Sequence, residues 1–139
     1  MRRTWIVVSL VAAVVMIVAL PAWAKGPGGG GSSISLVIPG AAATSSGSQT
    51  PSFGQQVTFA ESTTATAYPW VDAKCSQNGT VVYEQFAGFY SGYNGSQMFT
   101  LGPTQMWTGG AASCTAALLS YDKNGSPRTL ATTSFNVSG

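Results

Sequence analysis

The chain has 139 residues, of which 7% are charged and 11% aromatic, and it contains no histidine. That length suits one domain plus an N-terminal address, with ample apolar matter and few of the groups used in proton-transfer or metal chemistry. After residue 24, Lys25, Lys74, Lys123 and Arg128 balance Glu61, Asp72, Glu84 and Asp122. The remainder is formally neutral and lacks the basic stripe that a phosphate backbone demands, so no nucleic-acid partner is expected.

Arg2 and Arg3 precede an apolar run over residues 5–20, followed by Pro21 and the small-residue pattern Ala22-Trp23-Ala24. A short basic region, an apolar helix-length core and an A-x-A site are the parts of a secretory signal, which predicts a signal peptide over 1–24 cleaved before Lys25. The competing expectation is an uncleaved anchor, because residues 5–23 are just long enough to span a bilayer as a helix. Both place the rest of the chain outside the cytoplasm, secreted or at the cell envelope. Residues 25–33, rich in glycine, read as a flexible tether, and the folded domain is expected over 34–139.

Within the domain the apolar run at 34–38 reads as a first strand, stopped by Pro39-Gly40. Residues 41–52 form a small-residue loop, and the alternation at 56–61 puts Val57 and Phe59 on one face of a second strand. Residues 68–77 alternate cleanly, with Val71, Ala73 and Cys75 facing inward and Trp70, Asp72, Lys74 and Ser76 outward. Asn78-Gly79 then signals a tight primed turn, so 68–87 makes a hairpin. Residues 87–97 are a loop of glycine, serine, asparagine and aromatics, and 98–101 a short strand. The run 108–137 reads as a second hairpin with arms 111–121 and 129–137 about the turn DKNGSPR. Its inward rows are Ala112, Cys114, Ala116 and Leu118, and Ala131, Thr133, Phe135 and Val137. About seven short strands and no helix after the signal make an all-β, antiparallel sandwich.

Cys75 and Cys114 are the only cysteines, and export predicts that they are oxidised to one disulfide tying the second hairpin to the middle of the chain. On the chain-entropy account such a loop is worth about 4 kcal/mol.

The stretches FGQQVTFAESTTATAYPWVDAKC, TVVYEQFAGFY and FTLGPTQMWTGGAASCTAALLSYD resemble small immunoglobulin-like β-sandwich domains of exported actinobacterial proteins and of some of their phages. The resemblance covers about residues 34–137 and implies a fold and a surface location, with no catalytic residue to carry over. In the immunoglobulin pattern the disulfide joins strands of opposite sheets; here, with the strands lettered in order, Cys75 falls on strand C and Cys114 on strand F, neighbours in one sheet, a departure from that pattern. The resemblance offers Trp70 or Trp107 as the buried indole.

No histidine means no Ser-His-Asp triad, and cysteines committed to a disulfide leave no Cys-His pair. The four acids look like isolated solvated charges, Asp72 and Glu84 flanking Lys74 on an exposed strand face, so no enzyme activity, cofactor or metal site is expected. Four N-x-S/T patterns begin at Asn78, Asn94, Asn124 and Asn136, three of them followed by glycine as turn geometry requires. The sharpest functional signal is the loop sequence FAGFYSGY. Its composition is that of a contact loop in which rigid rings give area at low entropic cost. Tyr90 and Tyr93, with Trp70 on the outward strand face, are the candidate contacts for a protein or carbohydrate at the cell surface. Phe86, Phe89 and Phe99 are expected to fold inward as a lid over one end of the sandwich.

Overall fold

The computed structural model describes residues 31–41 and 49–139. The signal segment, the tether up to residue 30 and loop residues 42–48 lie outside the described residues. Seven strands follow in order: β1 (Ser33–Val37), β2 (Gln56–Ser62), β3 (Trp70–Gln77), β4 (Thr80–Gly88), β5 (Phe99–Thr100), β6 (Ala112–Tyr121) and β7 (Pro127–Val137). They form two antiparallel sheets, ordered β1-β2-β5 and β4-β3-β6-β7. No helix occurs among the described residues.

Strand boundaries depart from the sequence reading at several ends. β1 runs one residue earlier than residues 34–38, β3 starts at Trp70 rather than at residue 68, β5 is shorter than residues 98–101, and Pro127 and Arg128 belong to β7. The β6–β7 turn closes over five residues because Asp122 organises it: its carboxylate Oδ1 accepts from the N–H groups of Asn124 (2.8 Å) and Ser126 (2.9 Å). That Asx-type bonding replaces the turn backbone's water. Pro127 opposes Tyr121 at the start of an edge strand, where its missing N–H breaks no ladder. The β3–β4 turn is as expected, with positive φ at both Asn78 (49°) and Gly79 (79°), the requirement of a type I′ turn.

The inward rows assemble as the alternation predicts. Antiparallel register sets Val71 against Leu118, Ala73 against Ala116 and Cys75 against Cys114, all buried. The disulfide joins Cys75 and Cys114 directly across two neighbouring strands of one sheet, with Cα atoms 4.0 Å apart. Large rings fill the space over these small side chains, Phe59 and Phe99 from the facing sheet, Phe135 from β7 and Phe89 from the loop after β4. Phe59 and Phe99 meet edge to face at 5.2 Å, Phe135 lies 6.1 Å from Phe59, and Phe89 stacks on Phe99 at 6.2 Å. The buried indole is Trp107, fully enclosed between Phe53 (5.2 Å) and Tyr83 (6.2 Å), its Nε1–H donating to the Gly110 carbonyl. Burying an indole with its one donor satisfied avoids the cost of an orphaned polar group.

The inward lid expected of three phenylalanines holds for two of them. Phe99 is buried and Phe89 packs against the core, but Phe86 is 45% exposed. Phe86 pairs with Asp72, so strand alternation places it on the outer face of the sheet, and burial of its ring would require a slip in register.

Candidate functional site

The outer face of the four-stranded sheet carries an aromatic cluster at the end where β3 starts. Trp70 opens that strand, flanked in register by Gly88 of β4 and Leu119 of β6. Gly88 presents no side chain, and a Cβ there would stand 2.5 Å from Cε1 of Tyr90 and 2.7 Å from Cδ2 of Tyr93. The glycine is the floor on which both tyrosine rings rest.

The loop after β4 folds back because three hydrogen bonds hold it. The Phe89 N–H donates to the Pro69 carbonyl (2.9 Å), the Tyr93 N–H to the Tyr90 carbonyl (3.2 Å), and the Gln97 amide to the Gly88 carbonyl (2.8 Å). Tyr90 and Tyr93 thereby arrive beside Trp70, with ring centroids 5.9 and 5.7 Å from the indole and 5.5 Å from each other.

The structure thus brings together all three sequence candidates, Trp70, Tyr90 and Tyr93. It adds two that sequence reasoning missed. Tyr68 lies 5.3 Å from Tyr90 and is 65% exposed, while Tyr121 lies 6.4 Å from Trp70 and is 43% exposed. A signal for Tyr121 existed: an antiparallel register anchored on the cysteine pair carries Trp70 to Leu119, two residues from Tyr121 on the same face. All five rings meet at steep angles, between 62° and 89°. Edge-to-face packing is worth about 0.5–1.5 kcal/mol per pair beyond area burial. It gives a cluster of five rings joined through Trp70 and Tyr90, with Tyr68 and Tyr121 in one ring contact each. Beneath it Leu119 is buried although it stands apart from the main core. The cluster is a small second core, joined to the main one through Tyr93, which packs against it, and open at its rim through Tyr68 and Tyr121.

The next row of the same face holds Asp72, between Phe86 and Ala117 in register. The expectation of a solvated acid is corrected here: Asp72 is only 8% exposed. It sits in a row between an aromatic neighbour and the small Ala117, and Lys74 reaches back to it. The Lys74 ammonium lies 2.9 Å from Asp72 Oδ2 and 3.2 Å from Glu84 Oε1. Those bonds, the one to Asp72 foremost, hold the Lys74 pKa above the ordinary lysine value. Asp72 Oδ1 has no hydrogen-bond partner.

The other acids are apart from this pair. Glu61 is on β2 in the opposite sheet, and Asp122 organises the β6–β7 turn. Among the described residues no group of three or more acidic, histidine or cysteine side chains is placed to hold a metal ion. At the opposite end of the sandwich a shallow, uncharged depression of about 540 Å³ is lined by Ser76, Gln77, Asn78, Ser113 and Asn136 among others. Two donations from the Gln77 amide, to the carbonyls of Gly109 and Ala111, tie its wall together.

No known protein family matches this chain, and neither a curated protein nor a solved structure is found to be similar to it.

Proposed function

We propose that this chain is an exported, non-enzymatic, immunoglobulin-like module that works by binding at the cell envelope, stapled by one disulfide. The observation that carries the binding reading is the clustering of Tyr68, Trp70, Tyr90, Tyr93 and Tyr121 on one outer sheet face. A rigid patch of tyrosine and tryptophan offers large contact area with little side-chain entropy to lose and a polar tip on every ring. The immunoglobulin-like reading is supported by strand order. With β4 lettered C′, the sheets become A-B-E and C′-C-F-G, a two-sheet partition like that of such sandwiches, while the staple departs from the pattern by joining strands C and F within one sheet. Export is supported by the basic and apolar N-terminal sequence and by the oxidised cysteines, which belong to compartments outside the cytoplasm.

The binding test is co-sedimentation of the secreted product this reading expects, residues 25–139, with isolated native envelope. Replacing both rings, as Tyr90→Ala/Tyr93→Ala, is expected to abolish co-sedimentation while circular dichroism shows the sheet intact. Unchanged sedimentation of a folded variant would remove the site assignment. Intact mass of the chain recovered from cells, before and after reduction and alkylation, tests export: alkylation only after reduction supports it, and two freely alkylated thiols count against it.

A second reading, a membrane-anchored structural component of an envelope or phage surface, is favoured by one feature. β1 enters the domain at Ser33, with twelve residues between it and the end of the apolar run at Leu20. In that reading the same mass measurement finds Met1 retained rather than Lys25 exposed.

A further inference from the structure

The aromatic cluster and the point where the chain enters the domain are at the same end of the sandwich. Ser33, the first residue of β1, pairs with Ser62, the last of β2. Just outside that pair the hydroxyls of Ser32 and Thr63 are hydrogen-bonded at 2.8 Å. From Thr63 the chain crosses to the other sheet and reaches Tyr68 in five residues, a contour of at most about 17 Å. The two steps of that crossing are fixed by side-chain bonds, from the N–H of Ala65 to Thr63 and of Tyr68 to Thr66. Antiparallel pairing then places the start of β3, the end of β4, the end of β6 and the start of β7 at this end, and with them all five rings.

From this geometry we propose that the partner of the aromatic cluster is the lipid–water interface of the bilayer into which residues 5–20 insert. The inference rests on the binding role assigned to the cluster and on the anchored reading above, in which the apolar run is retained, and names what the cluster binds. Residues 21–32 are twelve residues, whose contour is at most about 40 Å. In an anchored chain the entry end is the part of the domain held nearest the bilayer, and that end is the aromatic one.

The chemistry fits the interface better than it fits a sugar. Tryptophan and tyrosine are the residues that settle at the headgroup level, with an apolar body and a polar tip. The rings stand at 62–89° to one another, so they present edges and hydroxyl tips at several angles rather than one flat stacking platform. Charge is complementary too. The Asp122 carboxylate is engaged by two backbone N–H groups of its own turn, while Lys123 within that turn and Arg128 just after Pro127 are exposed. Long basic side chains so placed reach lipid phosphates while their stems lie along apolar surface.

The test uses the full chain, carrying Trp5→Phe and Trp23→Phe, reconstituted into phosphatidylcholine nanodiscs. One set of discs has bromine near the carbonyl end of the acyl chains and one has none. Bromine is expected to quench a component of the tryptophan emission that Trp70→Phe removes, leaving only enclosed Trp107. The paired change Tyr68→Ser/Tyr121→Ser, at two exposed rings whose loss leaves the core untouched, is expected to reduce that quenching with the sheet spectrum unchanged. Trp70 emission indifferent to bromine, in discs shown to hold the inserted chain, overturns the inference. If Tyr90→Ala/Tyr93→Ala then still abolishes sedimentation with detergent-extracted envelope, the cluster binds a protein or glycan and the broader reading stands. If sedimentation is also unaffected, both readings fall.

Discussion

On the inner face of the four-stranded sheet, Val71, Ala73 and Cys75 meet Leu118, Ala116 and Cys114, small side chains sealed under the opposite sheet. On the outer face of the same strands, one residue out of phase, Trp70, Asp72 and Lys74 meet Leu119, Ala117 and Thr115. The inner face has a second sheet to cover it and needs only compact side chains and a staple. The outer face has no facing layer, and its largest ring is covered instead by loop tyrosines brought back over Gly88. One sheet therefore carries two apolar assemblies of different origin, one built by layer packing and one by a loop. Breaking each separately shows what each contributes.

The largest effect is expected on the inner face. Replacing both cysteines by alanine removes a cross-link spanning 39 residues and is expected to lower stability by about 4 kcal/mol, read as a shift in the denaturant midpoint. Because the cysteines face inward, the near-ultraviolet signal of the outer rings should survive the change at low denaturant. Loss of that signal in the native baseline would mean that the two faces fold as one unit.

The second effect isolates the outer face. Gly88→Ala leaves the backbone unstrained but drives a methyl group into Tyr90 and Tyr93, and overpacking of this kind costs about 1–3 kcal/mol. The expected signature is a loss of near-ultraviolet dichroism from the Trp70 cluster with the Trp107 environment preserved. A cost below about 0.5 kcal/mol, the range of ordinary surface changes, would show that the rings move aside freely and that the cluster is not a second core.

These two assemblies were unequally legible in the sequence. Period-2 alternation and the Asn78-Gly79 turn identified the inner rows and the outward direction of Trp70, because each depends on local backbone geometry alone, while the cysteine pair followed from there being only two cysteines. Tyr90 and Tyr93 were recognisable from loop composition. The burial of Asp72 and the exposure of Phe86 were not, since alternation names a face but says nothing about what lies alongside on it. Tyr68 joins the cluster only because the crossing from β2 to β3 turns back over the sheet end, a consequence of tertiary closure that no short window contains. Pro127 and Arg128 looked like turn residues and became strand because Asp122 closes the turn before them.

The smallest effect distinguishes the faces by a single tyrosine. Tyr83 belongs to the inner assembly, opposite Cys75 and 6.2 Å from Trp107, with its hydroxyl donating to the Gln85 side-chain carbonyl at 2.8 Å. Burial disfavours the phenolate and pushes its pKa up to about 12 from the ordinary 10. A folded-state pKa above the unfolded one means that the folded chain holds the proton longer. The stabilisation is complete below pH 10 and is lost as pH rises from 10 through about 12. An ultraviolet titration of phenolate should therefore show a late step near pH 12 that Tyr83→Phe removes. Stability measured against pH should fall less steeply across that window in the variant than in the parent chain. An unchanged late step would reassign it to another of the five tyrosines. Because Tyr83 is the one tyrosine on the inner face, that outcome would place the most strongly desolvated phenol in the outer cluster and overturn the contrast between a sealed face and an open-rimmed one.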